Sequence, residues 1–270
     1  MSKRPPDDDT MREEYDFTGG VRGKYAKRCA AGSNVVVLDP DVAEPFKGQA
    51  ADPGFRIVND VLDAFECLEV VEVLSRSDMI RGRAGARHLL GVPAISSLAR
   101  DARLRAIAAD FVGDAATPFR ATLFDKSSDA NWLVPWHQDT TLPLCRRFDA
   151  PGWGPWSRKE GILQAHAPSS ALSQVVALRV HLDDATTLNG PLRILPGSHV
   201  HGVLEDEAVF ELARTQLVVE CIVPRGGIMA MRPLLVHASS KARSPDPRRV
   251  LHIEYAASMH VGDGAELALG

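Results

Sequence analysis

Long apolar runs are missing from this 270-residue chain. No stretch approaches the roughly 20 residues of a membrane-spanning helix, so no membrane partner is expected. A basic excess is missing too: 31 Lys and Arg face 35 Asp and Glu, for a formal charge of −4. We therefore expect no nucleic-acid or polyanion partner. Cysteine is scarce, and Cys29, Cys67, Cys145 and Cys221 lack the paired spacing of a structural metal site. A chain this long does not depend on disulfides for a core, and reduced thiols fit a cytoplasmic protein. Met1 to Thr10 is charged and proline-bearing, without the apolar stretch of a secretory leader. What remains, 45% hydrophobic and 24% charged residues, is ordinary for a soluble globular protein.

The chain divides near residue 54. Residues 1–53 read as an N-terminal extension, disordered over the charged Met1 to Glu14. Tyr15-Asp16-Phe17-Thr18 opens a stretch that leads to the short apolar strand Asn34 to Leu38, closed by Asp39-Pro40-Asp41-Val42. This arm resembles small bacterial antitoxin-like proteins, which pair through a strand and bind DNA or a toxin. The helices such a domain needs are absent, because Lys47 to Gly54 is a polar Gly/Pro linker. A solvated arm or packing extension is the preferred reading.

From Gly54 onward, helices come first and strands follow. Leu62, Phe65, Leu68 and Val71 fall at helical spacing and predict an amphipathic helix buried along that stripe. A second helix is expected from Ser96 or Ser97 to Gly113, with Leu98, Leu104, Ile107 and Phe111 inward. Beyond Pro118, strands are expected at 119–124, 132–136, 175–182, 192–195, 217–223, 228–236 and 250–255, separated by marked Gly/Pro turns. Helices followed by short strands predict an α+β fold, a double-sheet jelly roll with flanking helices. The connection 140–174 is long, rich in Pro and Gly, and carries Trp153 and Trp156. It reads as a lid loop, with Trp153, Trp156 and His166 as candidate substrate contacts.

His137 and Asp139 stand two apart after an apolar run. On a strand that spacing turns both side chains to one face, where an imidazole nitrogen and a carboxylate oxygen can share a metal. A further histidine completes a facial triad suited to non-haem Fe(II). His237 is the best candidate, placed at the end of the apolar run Ile228 to Val236. Ser239 follows by two residues and Arg248 by eleven. A guanidinium fork with a hydroxyl beside it is a receptor for a carboxylate. Alternation turns only one of Arg248 and Arg249 inward, and the spacing favours Arg248.

Taken together, Trp136-His137-Gln138-Asp139, Leu182-Asp183-Asp184, Asn189-Gly190-Pro191-Leu192, Pro196-Gly197-Ser198-His199, His237-Ala238-Ser239 and Arg248-Arg249-Val250 make residues 54–258 resemble the phytanoyl-CoA hydroxylase family. The resemblance implies a cupin-like jelly roll, Fe(II), 2-oxoglutarate as cosubstrate and O2. It makes His137, Asp139 and His237 the iron ligands and Arg248 with Ser239 the receptor for the far carboxylate of 2-oxoglutarate. Lys126 and Trp132 occupy positions where relatives place further cosubstrate contacts. Arg179 lies on the strand that faces the site in such folds. The implied reaction is hydroxylation of a small or medium organic molecule, or a related oxidation such as desaturation, because halogenating relatives lack the carboxylate supplied here by Asp139. Three other readings stand beside it: a non-catalytic ligand sensor on the same fold, a regulator acting through the N-terminal arm, and a zinc hydrolase.

Overall fold

The computed structural model describes residues 52–76, 81–82, 85–127 and 130–270, together with a short strand at Val35–Val36. The rest of the N-terminal extension, with its antitoxin-like segment, lies outside the described residues.

In chain order the strands and helices are β1 (Val35–Val36), β2 (Phe55–Val58), α1 (Ala64–Arg76), β3 (Arg81–Gly82), β4 (Gly85–Ala86), α2 (Pro93–Ala99), α3 (Ala102–Val112), β5 (Thr117–Lys126), β6 (Val134–His137) and β7 (Thr141–Leu144). There follow β8 (Trp156–Lys159), β9 (Ile162–His166), α4 (Ser169–Leu172), β10 (Val175–His181), β11 (Leu192–Ile194), α5 (Asp206–Thr215), β12 (Val218–Cys221), β13 (Ile228–Met231), β14 (His237–Ser239) and β15 (Arg248–Ala256). A major sheet runs β2-β13-β10-β15-β5-β4-β3 and a minor sheet β1-β12-β11-β14-β6. A small third sheet has the order β7-β9-β8. This is the mixed α+β jelly roll expected from the sequence.

Period-two alternation divides the major sheet into two faces. Val176, Leu178 and Val180 of β10, with Leu251, Ile253 and Tyr255 of β15, pack outward on Leu74, Leu104, Ile107 and Ala108 of the helices. Each fully buried leucine or isoleucine here contributes roughly 2–3 kcal/mol of transfer free energy. The Tyr255 hydroxyl donates to Ala99 O at 2.8 Å, tying the sheet to α2. The opposite face looks toward the minor sheet. Half of the space between them is apolar, filled by Ala177, Met229 and Met231 against Leu192, Ile194, Val219 and Cys221. The other half is polar and holds the candidate site.

Four expectations need correction. In α1 the buried residues are Cys67 and Leu74, whereas Phe65 is 78% and Leu68 53% exposed. The cysteine, small and apolar, marks the buried face, and the expected stripe was rotated away from it. The second helix is two, α2 and α3, because Asp101 leaves the helix and caps the next one through Arg103 N; Gly113 ends it as expected. The stretch 140–174 is no bare loop: it folds into β7, β8, β9 and α4. The run Ile228 to Val236 does not make one strand. It turns at Arg232 and Pro233, so His237 opens β14 in the opposite sheet. Pro233 was the visible signal, since proline cannot donate within a central strand.

Candidate metal centre

His137 ends β6 and His237 opens β14, and the two residues are direct cross-strand partners. Their ring centroids lie 4.2 Å apart. Asp139 follows β6 and is fixed by its backbone N–H donating to Pro233 O at 2.9 Å. Its carboxylate oxygens come within 3.7 Å of His137 Nε2 and 3.6 Å of His237 Nε2. One donor atom from each of the three residues lies within 4.8 Å of the others, the spacing of ligands around a single ion.

The tautomers are set by the backbone. His137 Nδ1 donates to Pro135 O at 2.9 Å, and His237 Nδ1 to Leu235 O at 2.8 Å. Each Nε2 therefore turns its lone pair toward the shared centre. Burial, and then the neighbouring His137, pushes His237 down to about 4, so its ring is neutral at neutral pH. Burial raises Asp139, but the imidazoles of His237 and His137 outweigh it and hold the carboxyl below its ordinary range. Between the two ligands Gln138 points the other way, bonded to Gly202 O, Leu234 O and Leu204 N, which anchors the turn. Two imidazoles and one carboxylate converging in this way fit non-haem Fe(II).

Ser239, two residues after His237, meets a buried arginine and a buried lysine. Arg248 is 3% exposed; its Nε donates to Asn189 O and its Nη2 to Ser239 Oγ, while Nη1 has no partner. Burial, with Arg179 nearby, lowers its pKa to about 9. Lys126, its cross-strand partner, donates to Ser239 Oγ at 2.8 Å and to Ser240 O at 2.6 Å, and lies over the Trp132 ring. Burial and the two arginines lower the Lys126 ammonium to about 7. Gly190 makes this convergence possible. Its φ is 69° and a Cβ there would lie 2.4 Å from Ser240 O. Arg249 faces the other way and grips Asp183 through Nε and Nη2.

Inward-facing residues continue the polar floor along β5, β10 and β15. Arg179 pairs in register with His252, and His252 with Thr122; Glu254 pairs with Arg120. Arg120 and Glu254 form a two-bonded ion pair, and Arg120 also reaches Gln164 of β9. Of this row the sequence pointed only to Arg179. The signal was there: within the apolar strand Arg248–Ala256, polar residues recur at 248, 252 and 254, all on one face. Trp153 and Trp156 pack edge-on against Phe148, and Trp153 Nε1 donates to Asp263. His166 Nδ1 bonds Thr140 Oγ1 at 2.8 Å. These three residues are thus placed in and around the third sheet, next to the residue following Asp139.

A double-sheet jelly roll with a His–Asp–His cluster between its sheets is an architecture shared by several protein families. The chain belongs to one family among them: residues 47–250 match the family model for phytanoyl-CoA dioxygenase (PhyH). A stretch of 163 residues is 28% identical to L-proline trans-4-hydroxylase of Streptomyces griseoviridis, covering 51% of this chain and 52% of that protein. The alignment thus spans about half the length of this curated relative. Among solved structures, AviO1 from Streptomyces viridochromogenes Tue57 superposes with a TM-score of 0.56 at 25% identity, covering 86% of this chain and 99% of that one. EctD from S. alaskensis in its apoform reaches a TM-score of 0.60 at 19% identity, covering 88% and 84%. HygX from Streptomyces hygroscopicus with nickel and 2-oxoglutarate bound reaches 0.55 at 18%, covering 82% and 87%. The last two show the fold alone. Among the described residues, no helix is long and apolar enough to cross a membrane.

Proposed function

We propose that this chain hydroxylates a small or medium organic substrate, with His137, Asp139 and His237 holding Fe(II) and Arg248, Ser239 and Lys126 receiving the far carboxylate of 2-oxoglutarate. The overall reaction converts substrate, O2 and 2-oxoglutarate to hydroxylated substrate, succinate and CO2. Bound iron supplies the activation of O2 at the expense of the keto acid. The protein's own share is positional. The backbone-locked imidazoles present Nε2, Asp139 balances part of the metal charge, and Arg248 offers an unpartnered Nη1 to a carboxylate beside Ser239. Asp139 occupies the ligand position that a halogenating enzyme leaves to a halide, which favours hydroxylation.

One observation carries this reading. Three donor atoms converge within 4.8 Å, and next to them stands a buried arginine whose Nη1 lacks a partner. The test is anaerobic titration of metal-free protein with Fe(II) and 2-oxoglutarate, following the visible charge-transfer band of the chelate. Wild type forms the band; His137→Ala does not. Arg248→Ala requires about 30- to 150-fold more cosubstrate, the equivalent of a charge-assisted bond of roughly 2–3 kcal/mol. Iron binding without a band in the wild type would move the protein to the sensor or zinc-hydrolase reading.

A further inference from the structure

Arg179 is the buried charge that the proposed chemistry leaves over. It sits on β10 at the centre of the polar floor and is 6% exposed. Its Nη1 lies 3.3 Å from His252 Nδ1, its guanidinium lies over the Phe124 ring, and its Nε has no hydrogen-bond partner. Among the described residues no carboxylate comes within ion-pair distance of it, whereas Arg120 has Glu254 and Arg249 has Asp183.

Charge accounting makes this unusual. The proposed iron is a dication, Asp139 an anion, 2-oxoglutarate a dianion and Arg248 a cation, and these sum to neutral. Arg120 and Glu254 cancel. Arg179 then remains as a whole uncompensated charge, with Lys126 adding positive potential beside it. An arginine stays protonated in proteins, and isolated buried charges are strongly unfavourable unless something pairs with them. The floor around Arg179 also has hydrogen-bonding capacity to spare. His181 lies two positions on, on the same face, and its buried Nδ1 is likewise unpartnered.

Resting on the oxygenase reading above, we propose that Arg179 is the receptor for an anionic group of the primary substrate, which makes that substrate a carboxylate-bearing small molecule. The guanidinium fork takes the carboxylate opposite the iron ligands, and the carbon to be oxidised is held on the metal side. The anion enters with the substrate, so the chamber reaches charge balance only in the ternary complex. Arg179 is a substrate-binding residue in this proposal, distinct from Arg248, which serves the cosubstrate.

The test compares wild type with Arg179→Met, and with Arg179→Gln as the milder variant should the first fail to fold. Wild type must first show the iron–cosubstrate band; without it the parent reading fails before Arg179 is touched. With the band present, two measurements follow. Replacing an uncompensated buried cation by an apolar chain of similar length is expected to raise the melting temperature by about 2–6 °C, both metal-free and loaded with Fe(II) and 2-oxoglutarate under anaerobic conditions. The 2-oxoglutarate affinity of the variant should stay within threefold of wild type. Acetate, used as a carboxylate probe against acetamide, should stabilise the loaded wild type and not the variant. The proposal is overturned if the variant melts below wild type in either state, if its 2-oxoglutarate affinity falls more than tenfold, which would give Arg179 to the cosubstrate, or if acetate does no better than acetamide.

Discussion

Replacing Lys126 by methionine should make the metal-free protein more stable at pH 6 than at pH 9, relative to wild type. Lys126 is 1% exposed, and burial with two neighbouring arginines lowers its pKa from 10.5 to about 7. At 1.36 kcal/mol per unit, that shift corresponds to roughly 4–5 kcal/mol of disfavoured charge. The sign follows from proton linkage. Below pH 7 folded and unfolded chains both hold the proton, so the whole penalty stands. Between about 7 and 10.5 the unfolded chain holds it and the folded chain releases it, so wild-type stability climbs with pH. Linkage over those two values shrinks the penalty by about 2–3 kcal/mol between pH 6 and pH 9. Urea unfolding of both proteins in EDTA at the two pH values measures the gap. Lost hydrogen bonds to Ser239 Oγ and Ser240 O shift both values alike, so the narrowing is the readout. A gap that stays flat or widens refutes the argument. The same linkage predicts that 2-oxoglutarate affinity of the wild type weakens from pH 7 to pH 9, because the dianion must draw a proton back onto the amine. In Lys126→Met that dependence weakens.

Two further outcomes concern the scaffold. Glu254→Gln strands the buried Arg120 guanidinium and should cost about 3–5 kcal/mol in denaturant unfolding, whereas Arg120→Met combined with Glu254→Leu should recover most of it. Tyr255→Phe removes the hydroxyl bond to Ala99 O and should lower stability by about 1 kcal/mol, or roughly 2–4 °C by calorimetry, with cosubstrate binding unchanged.

That His137, Asp139 and His237 come together was legible in part from residue types and strand periodicity. His137 and Asp139 needed only the rule that alternate residues share a face. His237 needed a cross-strand partner that no local pattern specifies, and the apolar run before it read as one strand although Pro233 interrupts it. Arg248 was separable from Arg249 by alternation, and the burial of one and the Asp183 pairing of the other agree with that choice. The polar floor was harder. Alternation within 248–256 marks His252 and Glu254, but their pairing with Arg120 and Thr122 comes from the register of β5 on β15, which depends on which strands neighbour each other after the chain has folded. The tilt of α1 was missed for a simpler reason: Phe65 and Leu68 are apolar and exposed, and hydrophobicity predicts the inside far better than it predicts the outside.

Each ligand imidazole is locked to a carbonyl two residues back in its own chain segment. That arrangement makes the ligand orientation a property of the strand itself, independent of whether metal is present. The two imidazoles are therefore pre-oriented for the ion proposed above. Loading involves dehydrating the metal and little rearrangement of the chain, so stripping and reloading should be fast and fully reversible, with no refolding phase. An iron enzyme of the kind proposed, built this way, would recover a lost ion as a matter of supply, without passing through a partly unfolded state exposed to proteolysis.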